Sequence, residues 1–297
     1  MTGPEKGFLL LCSRLGNPDR KVLTTAQLRT LSLRMKNIAL DDPERELEAK
    51  DLVSIGYRRE LAEQILLLLS EEALLMRYLG RGKKAGCVPV SRISPIYPRI
   101  LRDRLGNDAP GCFWAKGDLN ILNSPRISLV GSRDLNPRNS EFAREAGYQA
   151  ALQGYTLVSG NARGADRTAQ EACLAAGGKV ISIVADSLEK HPLRQNVLYL
   201  SEDDFGEEFS AQRALSRNRC IHAMSEKVLV AQCSYQHGGT WDGTVKNLRF
   251  SWSDVFCFGD GSPAADLLYQ MGANPVTIEQ LTDLDGLSGA EVNFLSR

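Results

Sequence analysis

The chain has 297 residues, 43% of them apolar, and its 36 lysines and arginines balance 36 aspartates and glutamates. That length accommodates a full α/β domain with a smaller companion, and the composition excludes both a disordered chain and a miniature disulfide scaffold. No apolar run is longer than Ile65 to Leu69, against roughly 18 residues for a bilayer span, and the N-terminus lacks a signal peptide's basic-then-apolar order, so a soluble cytoplasmic protein is expected.

The seven cysteines are scattered, odd in number and without a Cys-x-x-Cys pair, which reads as reduced thiols, mostly in the core. His191, His222 and His237 lack short metal spacing and read as loop or packing residues, so neither a metal nor a cofactor is expected. Charge is uneven along the chain. From Asp41 to Glu72 there are ten acidic and four basic residues, and from Arg81 to Arg138 eleven basic and four acidic. The second stretch can supply a positive face.

In chain order, Leu61 to Leu79 spaces leucines at three and four residues with acidic residues between, an amphipathic helix that places residues 1–85 in a small helical module. Gly80, Gly82 and Gly86 then interrupt it, and Pro89, Pro95, Pro98 and Pro110 make residues 86–120 a connecting segment. From Arg126 short apolar runs alternate with helical stretches: Ile127 to Val130, a helix near 140–153, Thr156 to Val158, a helix near 166–176, and Val180 to Val184. An acidic loop, Val228 to Ala231, a glycine-rich turn, a helix near Val245, Val255 to Phe258 and a helix from Ala264 to Met271 follow. The fold class predicted is α/β, a Rossmann-like, doubly wound, mostly parallel sheet over residues 121–275, with 276–297 as a tail.

In such a sheet the loops after the strands carry the ligand. They hold Gly131, Ser132 and Arg133; Ser159, Gly160, Arg163, Gly164 and Asp166; and Gly238, Gly239 and Thr240, with Thr244 beyond. Glycine lets backbone N–H groups approach an oxyanion, hydroxyls add donors, and arginine offers a planar fork for phosphate. Asp166 also reads as a helix N-cap. Arg217, Asn218 and Arg219 suit a phosphate or carboxylate, or alternatively an internal clamp onto the acidic loop or a backbone carbonyl. Tyr97, Phe113 and Trp114 lie close to the basic stretch and offer base stacking, with core packing the stronger reading for Trp114.

The segments Tyr97-Pro98-x-x-Leu101, Trp114-Ala115-Lys116-Gly117, Val130-Gly131-Ser132-Arg133, Ser159-Gly160-x-Ala162-x-Gly164-x-Asp166, Arg217-Asn218-Arg219, Gly238-Gly239-Thr240 with Thr244, and Gly272-Ala273 stand in the order and spacing of the DNA-processing protein A (DprA/Smf) family, which the chain resembles from about Ile93 to Asn274. The resemblance implies a Rossmann-like core that binds single-stranded DNA, commonly as a homodimer, and hands incoming strands to the RecA recombinase during natural transformation, without a catalytic centre. The chain departs from the family at Gln170, often histidine, at Trp241-Asp242-Gly243 before Thr244, and at Phe256 to Asp260. The residues after Asn274 are too few for the winged-helix domain that many relatives carry.

Two other readings stay open. A sensor or phage-defence module would hold a nucleotide-derived signal in the same cradle. The segment from His237 to Thr244 is also similar to the Pro-Gly-Gly-x-Gly-Thr-x-x-Glu mark of cytokinin-activating nucleotide hydrolases, but Val245, Lys246 and Asn247 follow it, so the carboxylate for glycosidic cleavage is missing from its place.

Overall fold

The computed structural model describes residues 1–38 and 45–288. The acidic residues at 41, 42 and 44, and the tail beyond 288, lie outside the described residues. The chain opens with α1 (Gly3–Cys12), α2 (Thr25–Met35), α3 (Ala49–Ser54), α4 (Arg59–Ser70) and α5 (Glu72–Lys84). Thr2 and Glu5 form a capping box on α1, Thr24 and Gln27 another on α2, each satisfying N–H groups the first turn leaves free. Leu11, Leu28, Leu31, Leu52 and Ile65 close a small core of their own. Arg20 is buried here; it donates to the carbonyls of Leu10 at 2.7 Å and Ser13 at 2.5 Å, and pairs with Glu71 at 2.7 Å. A cation thus satisfies carbonyls that the C-terminal end of α1 leaves without helical partners.

The remaining elements are β1 (Cys87–Ser91), α6 (Arg99–Leu105), β2 (Cys112–Gly117), β3 (Arg126–Val130), α7 (Pro137–Leu152), β4 (Thr156–Ser159), α8 (Ala165–Ala175), β5 (Lys179–Ile183), β6 (Val197–Ser201), α9 (Ala211–Ala223), β7 (Lys227–Val230), α10 (Gly239–Phe250), β8 (Asp254–Phe258), α11 (Pro263–Gln270) and β9 (Asn274–Val276). Among the described residues they form one nine-stranded sheet, ordered β1-β2-β6-β5-β4-β3-β7-β8-β9. From β6 to β9 every pairing is parallel; β2 joins β6, and β1 joins β2, antiparallel. Strands such as β3 and β4 are almost wholly buried, as expected where helices cover both faces. On one face Ile127 and Leu129 pack with Phe142, Ala146, Ala169 and, from the N-terminal helices, Leu75 and Tyr78; on the other Val130 and Val158 pack with Leu101, Ile221, Trp241 and Leu268.

The α/β, mostly parallel sheet with a helical N-terminal region is therefore the observed class. Its extent differs from the sequence reading. The segment 86–120, expected to be only a connection, supplies two strands and a helix, and 197–201 is a strand immediately before the acidic loop. Pro89 is compatible with β1 because that strand is an edge, where a missing N–H costs little. The expected tail is packed as far as it is described: Leu281, Leu284 and Leu287 are buried, and Gln153 both donates to the Leu281 carbonyl and accepts from the Leu284 N–H. Tyr97, Phe113 and Trp114 are all buried, and Trp114 meets Tyr78 edge-on at 5.3 Å. They are core, so base stacking by these three rings is corrected. All seven cysteines are free, and all but Cys12 are buried.

Candidate nucleic-acid interface

The strand order reverses between β3 and β7: later strands add outward on one side through β4 and β5, then on the other through β8 and β9. At this switch point loops diverge and leave a crevice at the carboxyl edge. A cleft of about 410 Å³ lies there, lined by Gly131, Ser132 and Arg133 after β3, by Ala162 and Asp166 before and within α8, by Asn218 and His222 of α9, and by Gly238, Gly239 and Thr240 at the start of α10.

Backbone contacts hold the three loops together. The Ser132 carbonyl accepts from the Ala165 N–H at 3.1 Å, and Thr240 Oγ1 donates to the Gly131 carbonyl at 3.0 Å. Gly164 has φ +84°, and a Cβ there would collide with the carbonyl oxygens of Ser132 and Arg133; only glycine combines that backbone with that approach. The first turns of α8 and α10 therefore meet at the cleft, bringing their positive dipole ends to one place, with the Ala165 and Arg167 N–H groups of α8 already taken by the Ser132 and Ala162 carbonyls.

Asp166 lies inside α8, and the residue that caps this helix is Gly164, so the N-cap reading of Asp166 is corrected. Its Oδ2 accepts from the Gly160 and Ala162 N–H groups, both at 3.1 Å, and shapes the loop from within. Burial pushes its carboxyl above the usual range, opposed by the neighbouring Arg217 charge and those N–H groups.

Arg217 and Arg219 are in α9, not in a loop. Arg217 is buried and donates to the carbonyls of Gly160, beyond β4, and Ile183, at the end of β5. It therefore braces the cleft wall from behind, and its Nε has no partner among the described residues. Arg219 turns away to Glu202, the internal clamp that was the alternative reading. Neither arginine presents a free fork to solvent. Asn218, between them, lines the cleft and donates to the Gly239 carbonyl at 3.0 Å.

Two hydroxyls also face inward. Ser159 is buried and accepts from Gln170 Nε2 at 2.5 Å, which also reaches Ser182 at 3.2 Å. Thr244 is buried one turn below Thr240, outside the cleft lining, with its Oγ1 unpartnered among the described residues. Arg163 is on the exposed rim, paired with Asp134 at 2.7 Å. Arg133 is exposed, lines the cleft and makes no hydrogen bond or ion pair with the described residues. The structure thus brings Gly131, Ser132, Arg133, Asp166, Arg217, Asn218, Gly238, Gly239 and Thr240 to one cleft.

His222 and His237 also line it, and the sequence reading had set both aside. For His222 the signal was present, since it follows Asn218 by four residues in a helix and so shares its face. No cluster of His, Cys, Asp or Glu able to hold a metal occurs among the described residues.

Comparison with known proteins fits this geometry. The family described as DNA recombination-mediator protein A matches residues 90–247. DNA processing protein DprA of Streptococcus pneumoniae is 30% identical over 188 residues, covering 58% of this chain and 66% of that protein. Protein Smf of Escherichia coli is 30% identical over 156 residues, covering 49% of this chain and 41% of that protein. The matches thus span less than two thirds of these curated relatives. The X-ray structure of DNA processing protein A from Streptococcus pneumoniae superposes with a TM-score of 0.72 at 25% identity, over 97% of this chain and 99% of that one. DNA processing protein A from Helicobacter pylori shares the fold with a TM-score of 0.56 at 22% identity, over 66% and 94%. A switch-point cleft built from the matched segments, and a family match over more than half the chain, lead to one conclusion: this chain belongs to the DNA recombination-mediator protein A family.

Proposed function

We propose that the chain binds single-stranded DNA by its phosphate backbone in the switch-point cleft. The observation that carries this is the convergence of the first turns of α8 and α10 with the unpaired Arg133 on a cleft of about 410 Å³. Backbone N–H groups and one free guanidinium suit an oxyanion repeated along a strand, and offer little to read base sequence. The Helicobacter pylori relative is described by its single-stranded DNA binding mode, which supports the same reading.

The role fits binding better than turnover, because the only carboxylate lining the cleft among the described residues, Asp166, is engaged by loop N–H groups. Protection of incoming strands in the cytoplasm, hand-over to the RecA recombinase and a homodimeric state are proposed on family membership. Among the described residues no helix is long and apolar enough to cross a membrane.

A second reading, a nucleotide-derived signal, is favoured by the cleft volume, which falls in the range of small-molecule sites. Titration of the purified protein with labelled single-stranded DNA, duplex DNA and a panel of nucleotides at several salt concentrations separates the two. Preference for the single strand, falling with salt, is expected; equal or tighter binding of a mononucleotide, independent of strand length, overturns it in favour of the sensor.

A further inference from the structure

Eleven cations lie between Arg81 and Arg138, and the fold uses most of them internally. Arg92, Arg102, Arg104, Lys116 and Arg126 donate to backbone carbonyls, and Arg99 pairs with Asp103 at 3.5 Å. Arg133 faces the cleft, and Arg138 lies over the Phe258 ring. The other three, Arg81, Lys83 and Lys84, stand in the last turn of α5, and all are exposed.

The outward side of that helix is basic well before its end. Positions 77, 81 and 84 recur at four and three residues, so Arg77, Arg81 and Lys84 project from one side, opposite the buried Leu75, Tyr78 and Gly82. Ala73 and Gly80 are exposed on the same side, and no carboxylate follows Glu72 in the helix. Arg77, Lys83 and Lys84 make no hydrogen bond or ion pair with the described residues, and Arg81 lies over the rings of Tyr78 and Phe205. The loop before β6 extends this surface. A Cβ at Gly86 would stand 3.9 Å from Leu193, and the adjacent Arg194 is exposed and makes no ion pair with the described residues. The helix dipole favours cations in the last turn of α5, but that effect does not extend to Arg77 or Arg194.

This surface is separate from the cleft. β2 is antiparallel to both β1 and β6, so β1 points the same way as the parallel strands, and Cys87, soon after Lys84, begins it at the amino edge. The cleft is at the carboxyl edge.

We propose that the outward face of α5, with Arg194 beside it, is a second nucleic-acid surface that holds the phosphate backbone of a further stretch of the single strand gripped in the cleft. This rests on the DNA-binding reading above. A polyanion suits the face: its cations follow one another at about 6 and about 4.5 Å along the helix axis, and the small residues at 73 and 80 leave room for a backbone to lie among them. The face has no aromatic ring of the kind that anchors a protein partner. The helical module then adds length to the footprint: the cleft fixes where a strand is held, and α5 sets how much of it is covered.

The test is the salt dependence of binding to a short and a long oligothymidylate, of about six and about 25 nucleotides. It compares the wild type, Arg133→Ala, and a variant combining Arg77→Ala, Lys84→Ala and Arg194→Ala, each with a melting curve. Slope is read before affinity, because a longer strand gains affinity from its extra registers alone, whereas the slope counts phosphates neutralised. The wild type is expected to show the steeper slope on the long strand. The triple substitution is expected to flatten that slope by about 2, at about 0.7 for each of its contacts, and to leave the short-strand slope and the melting curve as in the wild type. Arg133→Ala is expected to weaken both lengths.

Equal slopes for the two lengths in the wild type, or a long-strand slope that the triple substitution leaves unchanged, overturn the second surface while leaving the cleft standing. Vesicles of anionic phospholipid and polyglutamate are the remaining probes. Binding of either that the triple substitution abolishes, with the long-strand slope unchanged, gives the face to a membrane surface or an acidic protein and overturns the proposal. Failure of the wild type to bind either strand overturns both this surface and the DNA-binding reading.

Discussion

Arg219 grips Glu202 at two points, Nη2 to Oε2 at 2.5 Å and Nη1 to Oε1 at 3.1 Å, and the side chains are only 24% and 8% exposed. Such a pair is costly to break from one side, because the remaining charge stays buried and alone. Arg219→Ala is expected to lower stability by about 3 kcal/mol and to leave DNA affinity nearly unchanged at matched salt. Denaturant unfolding beside a DNA titration checks this; a variant as stable as the wild type that binds DNA more weakly would place Arg219 in the interface instead.

Arg217 contacts the protein differently, through a carbonyl beyond β4 and another at the end of β5. Its removal leaves the Gly160 and Ile183 carbonyls without this donor and Asp166 without the adjacent positive charge. Arg217→Ala is expected to cost about 3 kcal/mol and to weaken DNA binding indirectly, by loosening the loop from Gly160 to Gly164. Hydrogen exchange at the Gly160 and Ala162 amides should rise in the variant, and wild-type protection there would contradict the bracing role.

Arg133 is the contrasting case, an exposed cation that makes no hydrogen bond or ion pair among the described residues. Arg133→Ala should melt with the wild type, yet bind single-stranded DNA more weakly across all sequences. Each phosphate contact removed flattens the log-log dependence of affinity on salt by about 0.7 for a single strand. Salt-dependent titration measures that slope; a wild-type affinity and slope would remove Arg133 from the site.

His222 makes stability depend on pH. Its ordinary pKa of 6.5 is lowered to about 3 in the fold by desolvation, so between these values the unfolded chain binds a proton that the native chain does not. The stability it contributes is full above about pH 6.5 and is lost progressively as pH falls toward about 3. His222→Phe cannot take up that proton. Relative to this variant the wild type should lose about 3 kcal/mol between pH 7.5 and 4.5, measured by urea unfolding at both values. A difference that does not change with pH would show that the ring is charged or solvated in the native state.

The sequence made the parallel core legible because its strands are short apolar runs separated by helical periods, and the glycines of the loops at 131, 160–164 and 238–239 marked where backbone meets ligand. It did not show which side chains point there. Arg217 and Arg219 read as a matched pair, but in a helix two residues apart means about 200° of rotation, so one faces the sheet and the other the acidic segment. Thr244 joins Thr240 in the segments that carry the family resemblance, yet the second turn of α10 is already inside the core. Ser159 ends a strand buried on both sides, and whether its hydroxyl meets ligand or Gln170 depends on a partner eleven residues away. The strand at 87–91 was obscured by Pro89, which its edge position tolerates, and that at 112–117 by the prolines that precede it, Pro98 and Pro110.

The two outer strands bear on how copies of this protein can come together. At one margin β1 contains Pro89, and at the other β9 is three residues long and contains Pro275. Proline withholds a ladder donor, and so short a strand gives an incoming chain little to register against. Both margins therefore resist extension into a continuous intermolecular sheet. Copies of the chain are left to meet through helices and loops, where contacts can form and release without merging their β-structure.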